Sequence, residues 1–253
     1  MIDALGERMK RYELASKGYL TRKTPVIVRV DGKAFHTLTQ SFEKPFDKIL
    51  LRVMALTMRD LCKEVQGCVF GYTQSDEITL VLTDYATKDT GAYFDYNIQK
   101  LTSVIASLAT RSFIVNMSEV LHESLKSKDR EFYEKYLNSC KKVAFDARCF
   151  NIPKEEVCNN LIWRQNDAVR NAILNVGFSK FSKKELFKKS CKDVLNMLKG
   201  VGVDFENDYY TCERRGVCCY RKAYLEEEKR AEWVIDYVPP LFKECREYVE
   251  KHI

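Results

Sequence analysis

The sequence lacks the features that commit a chain to a membrane, a disulfide scaffold or a zinc module. No stretch approaches the roughly 18 apolar residues of a membrane span. The opening "MIDALGERMKRYE" has no apolar centre of the kind a secretory signal carries. The ten cysteines form no CxxC pair, and no histidine stands at zinc-finger spacing from any of them. The cluster "CERRGVCC" is spaced wrongly for a compact tetrahedral metal site. Internal repeats, low-complexity linkers and long disordered runs are missing too. Charge of one sign is scarce: 42 basic and 36 acidic residues leave a net +6. That excess permits a polyanionic partner without demanding one, because a local basic patch matters more than the sum. Together these absences predict a soluble cytoplasmic protein with no membrane partner, its cysteines serving as small buried hydrophobes in a reducing compartment.

What is present is ample apolar material, 45% of 253 residues, enough for a substantial core. "TPVIVRVDGKAF" opens with a β-branched run that reads as a core strand ending at Asp31. In "EKPFDKILLRVMALTMRDLCKEV", Phe46, Ile49, Leu50, Val53, Met54, Leu61, Cys62 and Val65 recur at helical spacing. Pro45 suits the first position of that helix and Asp47 its first turn. "CVFGYTQSDEITLVLTD" predicts two strands joined by a tight turn over Thr73 to Asp76. A second helix is read through "YFDYNIQKLTSVIASLATRSF", and a strand in "KKVAFDARCFNIP" that stops at Pro153. "NNLIWRQNDAVRNAILNVGF" is read as a helix. One more helix runs from a capping box, Ser182 to Glu185, to Gly200. "CERRGVCCYRKAYL" reads as a strand or hairpin turning at Gly216, and the chain closes with a strand, a Pro-Pro break and a polar helix. The order β-α-β-β-α-β, then helices and a hairpin, predicts an α+β fold with helices on one face of a mostly antiparallel sheet.

Strand one ends in Asp31, and the hairpin after the first helix carries Asp76 and Glu77 at its turn. In a split β-α-β sheet these places can be neighbours at one end of adjacent strands. Two carboxylates there, with a backbone carbonyl near Gly32, suit Mg2+ with several waters kept. Such an ion orients a nucleoside triphosphate. Lys44, read at the helix start, adds a positive charge to the helix N-terminus, and Lys33 and His36 lie close by in "DGKAFH". On the "WRQNDAVRN" helix, Asn160, Arg164, Asp167 and Asn171 share one stripe, with Gln165 adjacent. Planar amides and arginine in a stripe point to hydrogen bonding with base edges or phosphates.

"RVDGKAFHTLT", "FEKPFDKIL", "GYTQSDEITLVL", "FDARCFNIP" and "WRQNDAVRN", in that order and spacing, resemble the tRNA-histidine guanylyltransferase superfamily. The opening and the ending "WVIDYVPPLF" look more like its Thg1-like branch, the 3′–5′ RNA polymerases. The resemblance implies a polymerase- and cyclase-like palm at about residues 1–153, with a helical and hairpin part at about 154–253, the two forming a single catalytic unit. It implies a nucleotidyltransferase that activates a 5′-monophosphorylated tRNA end with ATP or GTP. The 3′-hydroxyl of an incoming nucleoside triphosphate then attacks that end. Two Mg2+ ions per site and a homotetramer are further implications. Carried over by motif, Asp31, the Gly32 carbonyl and Asp76 hold the metals, with Glu77 in support. Lys33, Ala34, Phe35, His36 and Lys44 line the triphosphate, with Asp47 and Ser75 nearby. Lys100, Arg148, Arg164, Gln165, Asp167 and Asn171 serve the RNA or its activated end.

Two departures matter. Ala147 replaces the glycine of an "FDGR" motif. Val169, Arg170, Asn171 and Ala172 stand where the eukaryotic guanylyltransferases carry "HINN". Valine cannot make the hydrogen bonds of that histidine. Template-directed repair of truncated tRNA 5′ ends is therefore expected, ahead of non-templated guanosine addition to histidine tRNA. A palm-fold RNA scaffold without turnover is disfavoured, because Asp31, Lys44 and Asp76 are all present. A purine nucleotide cyclase would convert ATP or GTP without RNA.

Overall fold

Runs of β-branched and aromatic residues form most of the sheet in the computed structural model of the protein, which describes residues 4–124, 130–222 and 232–253. The strands are β1 (Val26–Gly32), β2 (Cys68–Gln74), β3 (Glu77–Leu82), β4 (Phe145–Asn151), β5 (Val217–Lys222) and β6 (Glu232–Asp236). The helices are α1 (Ala4–Leu14), α2 (Phe35–Leu38), α3 (Lys48–Glu64), α4 (Ile98–Ser124), α5 (Arg130–Cys140), α6 (Lys154–Lys180), α7 (Lys183–Leu186), α8 (Cys191–Gly200), α9 (Thr211–Arg215) and α10 (Glu247–Glu250). All six strands join one antiparallel sheet in the order β4-β1-β3-β2-β5-β6. The expected α+β class holds.

Helices cover both faces of the sheet, not one. Val26, Val28 and Val30 of β1 pack with Ile78, Leu80 and Leu82 of β3 against α3 and α4. The alternate residues Ile27, Phe70, Tyr72 and Val81 meet Val157, Cys158 and Leu161 of α6, with Phe242 and Val249 from the C-terminal segment. The physical reason is in β1 itself: "VIV" is apolar at consecutive positions, so neither face can be left to water. α6 is 27 residues long, about 40 Å. Its first half lies on the sheet. Its second half leaves the sheet and builds a separate cluster with α7, α8 and Phe205 through Ala172, Ile173 and Val176.

Several local expectations change. Helix α3 begins at Lys48, with the Asp47 side chain accepting from the Leu50 N–H as its N-cap. Pro45 and Lys44 therefore precede the helix and do not open it. The helix read from Ser182 to Gly200 is two helices, each with its own capping box, at Ser182 and at Ser190. "CERR" is the short α9, and Gly216 ends it rather than turning a hairpin. The end of "CERRGVCCYRKAYL" lies outside the described residues. The polar C-terminal helix shortens to the single turn of α10.

Helix α4 is long and apolar enough to cross a membrane by length and composition, contrary to the reading that no such run exists. Its residues Leu101, Ile105, Ala109, Phe113 and Met117 repeat every four positions and are buried in the core. Its apolar length serves packing. Helix α5 was not among the expected elements. The cysteines are free: six are buried, three half-buried and only Cys245 exposed, as expected of small apolar residues.

Gly216 has φ 79 and ψ −168, a region essentially reserved for glycine. An added Cβ would stand 2.5 Å from the Thr73 carbonyl oxygen. Gly216→Ala is expected to destabilise the fold by about 2–3 kcal/mol, read as a lowered midpoint in urea. A midpoint equal to that of the parent protein would contradict this account of the α9–β5 junction.

Candidate active site

Antiparallel register brings the sequence-predicted acids together. Asp31 on β1 is paired with Glu77 on β3, and Gln74 with Glu77 across the β2–β3 hairpin. Ser75 and Asp76 are thus a two-residue loop at the end of β1. The Gly32 N–H donates to the Asp76 carbonyl across 3.1 Å, tying the two places directly. Ser75 takes a positive φ of 51, a position where two-residue hairpin loops favour glycine or asparagine. The strain sits beside the acids.

Burial raises the Asp76 carboxyl above the usual aspartate range, and the neighbouring Asp31 carboxylate adds repulsion. Hydrogen bonding from Ser75 and the field of His36 oppose the shift. A hard divalent cation such as Mg2+ takes oxygen ligands and keeps several waters. Asp31, Asp76 and the Gly32 carbonyl are such a donor set, and the repulsion between the two carboxylates is what a cation relieves. The residues fit the ion. No cluster of three or more acidic, histidine or cysteine side chains is found among the described residues.

The third acid is held back by a cation of its own. Glu77 is buried, and Arg164 of α6 donates two hydrogen bonds to it, of 2.6 and 2.8 Å. Arg164 also reaches Asp167 at 3.0 Å. Burial pushes the Glu77 carboxyl up, and the Arg164 guanidinium opposes it. Glu77 therefore supports the site as half of an ion pair.

The loop after β1 is anchored by an aromatic ring. Phe35 is buried between Phe113 and Phe145, with ring centres 5.6 and 5.1 Å away. A Cβ on Gly32 would lie 2.3 Å from the Phe35 ring, so glycine is required for this approach. The Phe35 side chain cannot touch a nucleotide. The exposed His36 side chain and the backbone of Ala34 to His36 remain for that, where a helix begins and first-turn N–H groups lack intrahelical partners.

Asp47 has a structural duty. It caps α3, and its second oxygen accepts from the Glu43 N–H and from the Tyr136 hydroxyl of α5 at 3.0 and 2.7 Å. Beside it lies a cavity of about 150 Å3 between residues 39–54, the Thr73–Ser75 end of the hairpin, α6 and the 212–217 segment. Phe42, Phe46 and Met54 make it apolar, while Lys44, Asn171 and Asn175 place polar groups in its wall. Lys33 opens elsewhere, into a groove of about 540 Å3 shared with Lys135 and Lys142 of the α5 region. The triphosphate set is thus divided between two openings.

Other assigned residues separate as well. Arg148 is exposed on β4, 4.0 Å from Asp31 and 3.1 Å from Asp146. Gln165 is buried and uses both ends of its amide on the Pro240 carbonyl and the Phe242 N–H, which leaves none for RNA. Asn171 is exposed at the cavity and bonds Asp167 at 3.4 Å. Lys100 lies in the first turn of α4, over the Phe94 ring. Phe113, which marks the site end of that helix, is about 20 Å further along, so Lys100 does not join these acids within the chain. The sequence reading also missed Tyr136, Arg29 and Trp163. Trp163 was visible in "WRQ" but carried no periodic signal.

The profile of the tRNAHis guanylyltransferase family (Thg1) matches residues 6–153. A solved bacterial tRNA(His) guanylyltransferase (Thg1)-like protein in complex with ATP is 35% identical, with TM-score 0.84 over 99% of each chain. The tRNA(His) guanylyltransferase of Schizosaccharomyces pombe is 28% identical over 220 residues, 81% of this chain and 76% of that protein. An uncharacterized protein of Acanthamoeba polyphaga mimivirus is 31% identical over 181 residues, 68% of this chain. The match spans only 61% of that relative's length.

Two outcomes test the electrostatics. Arg164→Met strands a buried carboxylate and is expected to cost about 3–5 kcal/mol; adding Glu77→Gln should recover part of this in thermal unfolding. A double variant no more stable than the single one would show that Arg164 contributes something other than the ion pair. For Asp76 the raised carboxyl means that the charged form costs stability at neutral pH, a cost relieved as pH falls through its folded range. Asp76→Asn should raise the unfolding midpoint at neutral pH, and the gain should vanish below the ordinary aspartate range. A gain independent of pH would contradict a carboxyl raised by burial and by its neighbour Asp31.

Proposed function

The chain belongs to the tRNAHis guanylyltransferase family, a family of nucleotidyltransferases, and on that premise we propose that it extends the 5′ end of tRNA in the 3′–5′ direction by copying the opposite strand. The observation that carries the reading is the meeting of Asp31 and Asp76 at one end of β1 and β3. Asp31, the Gly32 carbonyl and Asp76 would hold two Mg2+ ions. When bound, these ions supply charge neutralisation at the phosphorus under attack.

In the activation step an oxygen of the RNA 5′-phosphate attacks the α-phosphorus of ATP or GTP and pyrophosphate leaves. In the second step the 3′-hydroxyl of an incoming nucleoside triphosphate attacks the activated 5′-phosphorus and the nucleoside monophosphate leaves. The apolar cavity beside Ser75 suits a base, with Lys44 at its wall for phosphate. Lys33, Ala34 and Thr37 line the second opening, which suits a second triphosphate. Arg148, already beside Asp31, suits the 5′-phosphate of the RNA. Arg164 keeps Glu77 paired, so that it does not compete for the cation.

Template use is supported at Val169, which packs half-buried against the α6–α8 cluster and offers no hydrogen bond to a particular tRNA. Assembly as a homotetramer belongs to the same reading. It is supported by α1, none of whose residues is buried and where Leu5, Met9 and Tyr12 stand exposed at helical spacing. The free cysteines support a reducing, cytoplasmic setting.

The test is a 5′-monophosphorylated tRNA lacking its first nucleotide, supplied with ATP and one labelled nucleoside triphosphate at a time. Incorporation should follow the opposing base, and Asp31→Ala or Asp76→Ala should reduce it by about 10²–10³-fold or more with the fold intact. Addition of guanosine whatever the opposing base would replace the templated reading with the non-templated one.

A further inference from the structure

Trp163 projects from α6 with 54% of its surface exposed, immediately before the arginine that clamps Glu77. Two guanidinium groups attend its ring. Arg164 lies 4.5 Å and Arg29 5.8 Å from the ring centre. Arg29 comes from β1, two residues before Asp31 and therefore on the same face of the sheet. Register places Arg29 opposite Arg148 and Asp31 opposite Asp146 on β4. An open indole and three arginines thus share one side of the sheet with the catalytic carboxylates.

Arg29 is the unusual member. Its Nε is buried and has no hydrogen-bond partner. The nearest carboxylate, Glu77, is 4.0 Å away and already takes two hydrogen bonds from Arg164. A buried donor without an acceptor is costly, and here it lies beneath an aromatic face that water can reach. Aromatic stacking with arginine alongside is how single-stranded nucleic acid is held without reading its sequence.

We infer that Trp163 is a stacking platform for the 5′-terminal base of the RNA, with Arg29 and Arg148 receiving that nucleotide's phosphate. The inference rests on the proposed action at an RNA 5′ end and adds the residue that positions that end. An RNA end fits better than a free nucleotide for two reasons. The apolar cavity suited to a free base is lined by residues 39–54, 73–75 and 212–217 and by a later stretch of α6, Ala168 to Asn175, and Trp163 is not part of its wall. A sequence-blind platform is also what a copying enzyme needs, since the opposing strand makes the choice.

Trp163 reports on itself. The chain has two tryptophans, and Trp233 is buried in the core, so Trp233→Phe leaves Trp163 as the single emitter. Its fluorescence should be quenched by the truncated 5′-monophosphorylated tRNA. It should be quenched far less by the same tRNA with an abasic 5′ nucleotide, and not by ATP alone. Trp163→Ala should raise the KM for RNA about tenfold to a hundredfold, leaving the KM for ATP unmoved, and Trp163→Phe should recover most of the affinity. RNA that is extended normally with unmoved Trp163 emission, or a Trp163→Ala KM for RNA within twofold of the parent, overturns the platform and leaves the activity standing. Equal quenching by ATP alone overturns it too, in favour of a nucleotide site. Failure of the parent protein to extend any RNA removes the activity instead, and the comparison of intact and abasic RNA still decides the platform.

Discussion

Like charges must be held together before this site can exist. Asp31, Asp76 and Glu77 converge at one end of β1 and β3, and water alone would not keep three carboxylates there. The chain answers each charge differently. Glu77 is neutralised by the buried guanidinium of Arg164, Asp31 is attended by Arg148 at longer range, and Asp76 is left with a raised proton affinity. The unequal treatment separates a carboxylate that braces the site from two that remain available to a cation.

That arrangement depends on packing on both faces of the sheet. On one side Phe35 wedges between Phe113 and Phe145 and draws the loop after Asp31 against the core, a fit that Gly32 allows and a larger residue would block. On the other side α6 crosses the strands, carrying Arg164 to Glu77, Gln165 to the segment after the Pro-Pro pair, and Trp163 to Arg29. A single helix therefore ties the acids, the C-terminal segment and the exposed indole into one unit. Its far half forms a wall of the cavity and packs with α7 and α8.

Much of this was legible in the linear chain, for local reasons. Continuous β-branched and aromatic runs marked β1 and the β2–β3 hairpin, which are buried on both faces, and a 3.6-residue period marked α3 and most of α6. That Asp31 and Asp76 can be neighbours was read from split β-α-β topology. Other features were hidden. Helix α5 went unread, yet its Tyr136 closes the bonding of Asp47. The planar stripe on α6 looked free for nucleic acid, but Arg164 and Gln165 turn inward, because the sheet offers Arg164 a carboxylate and the C-terminal segment offers Gln165 the Pro240 carbonyl and the Phe242 N–H.

The sequence by itself determined which side chains carry charge, where β1, β2, β3 and α3 lie to within a few residues, and the order of the motifs that mark the family. Only the tertiary structure decided that Glu77 belongs to an arginine 87 positions away, that Lys33 and Lys44 open into separate cavities, and that Lys100 lies at the other end of α4. The division has one physical cause. Periodicity and turn chemistry act between near neighbours, whereas burial sets the partner of a charge only after distant segments have packed and excluded the water between them.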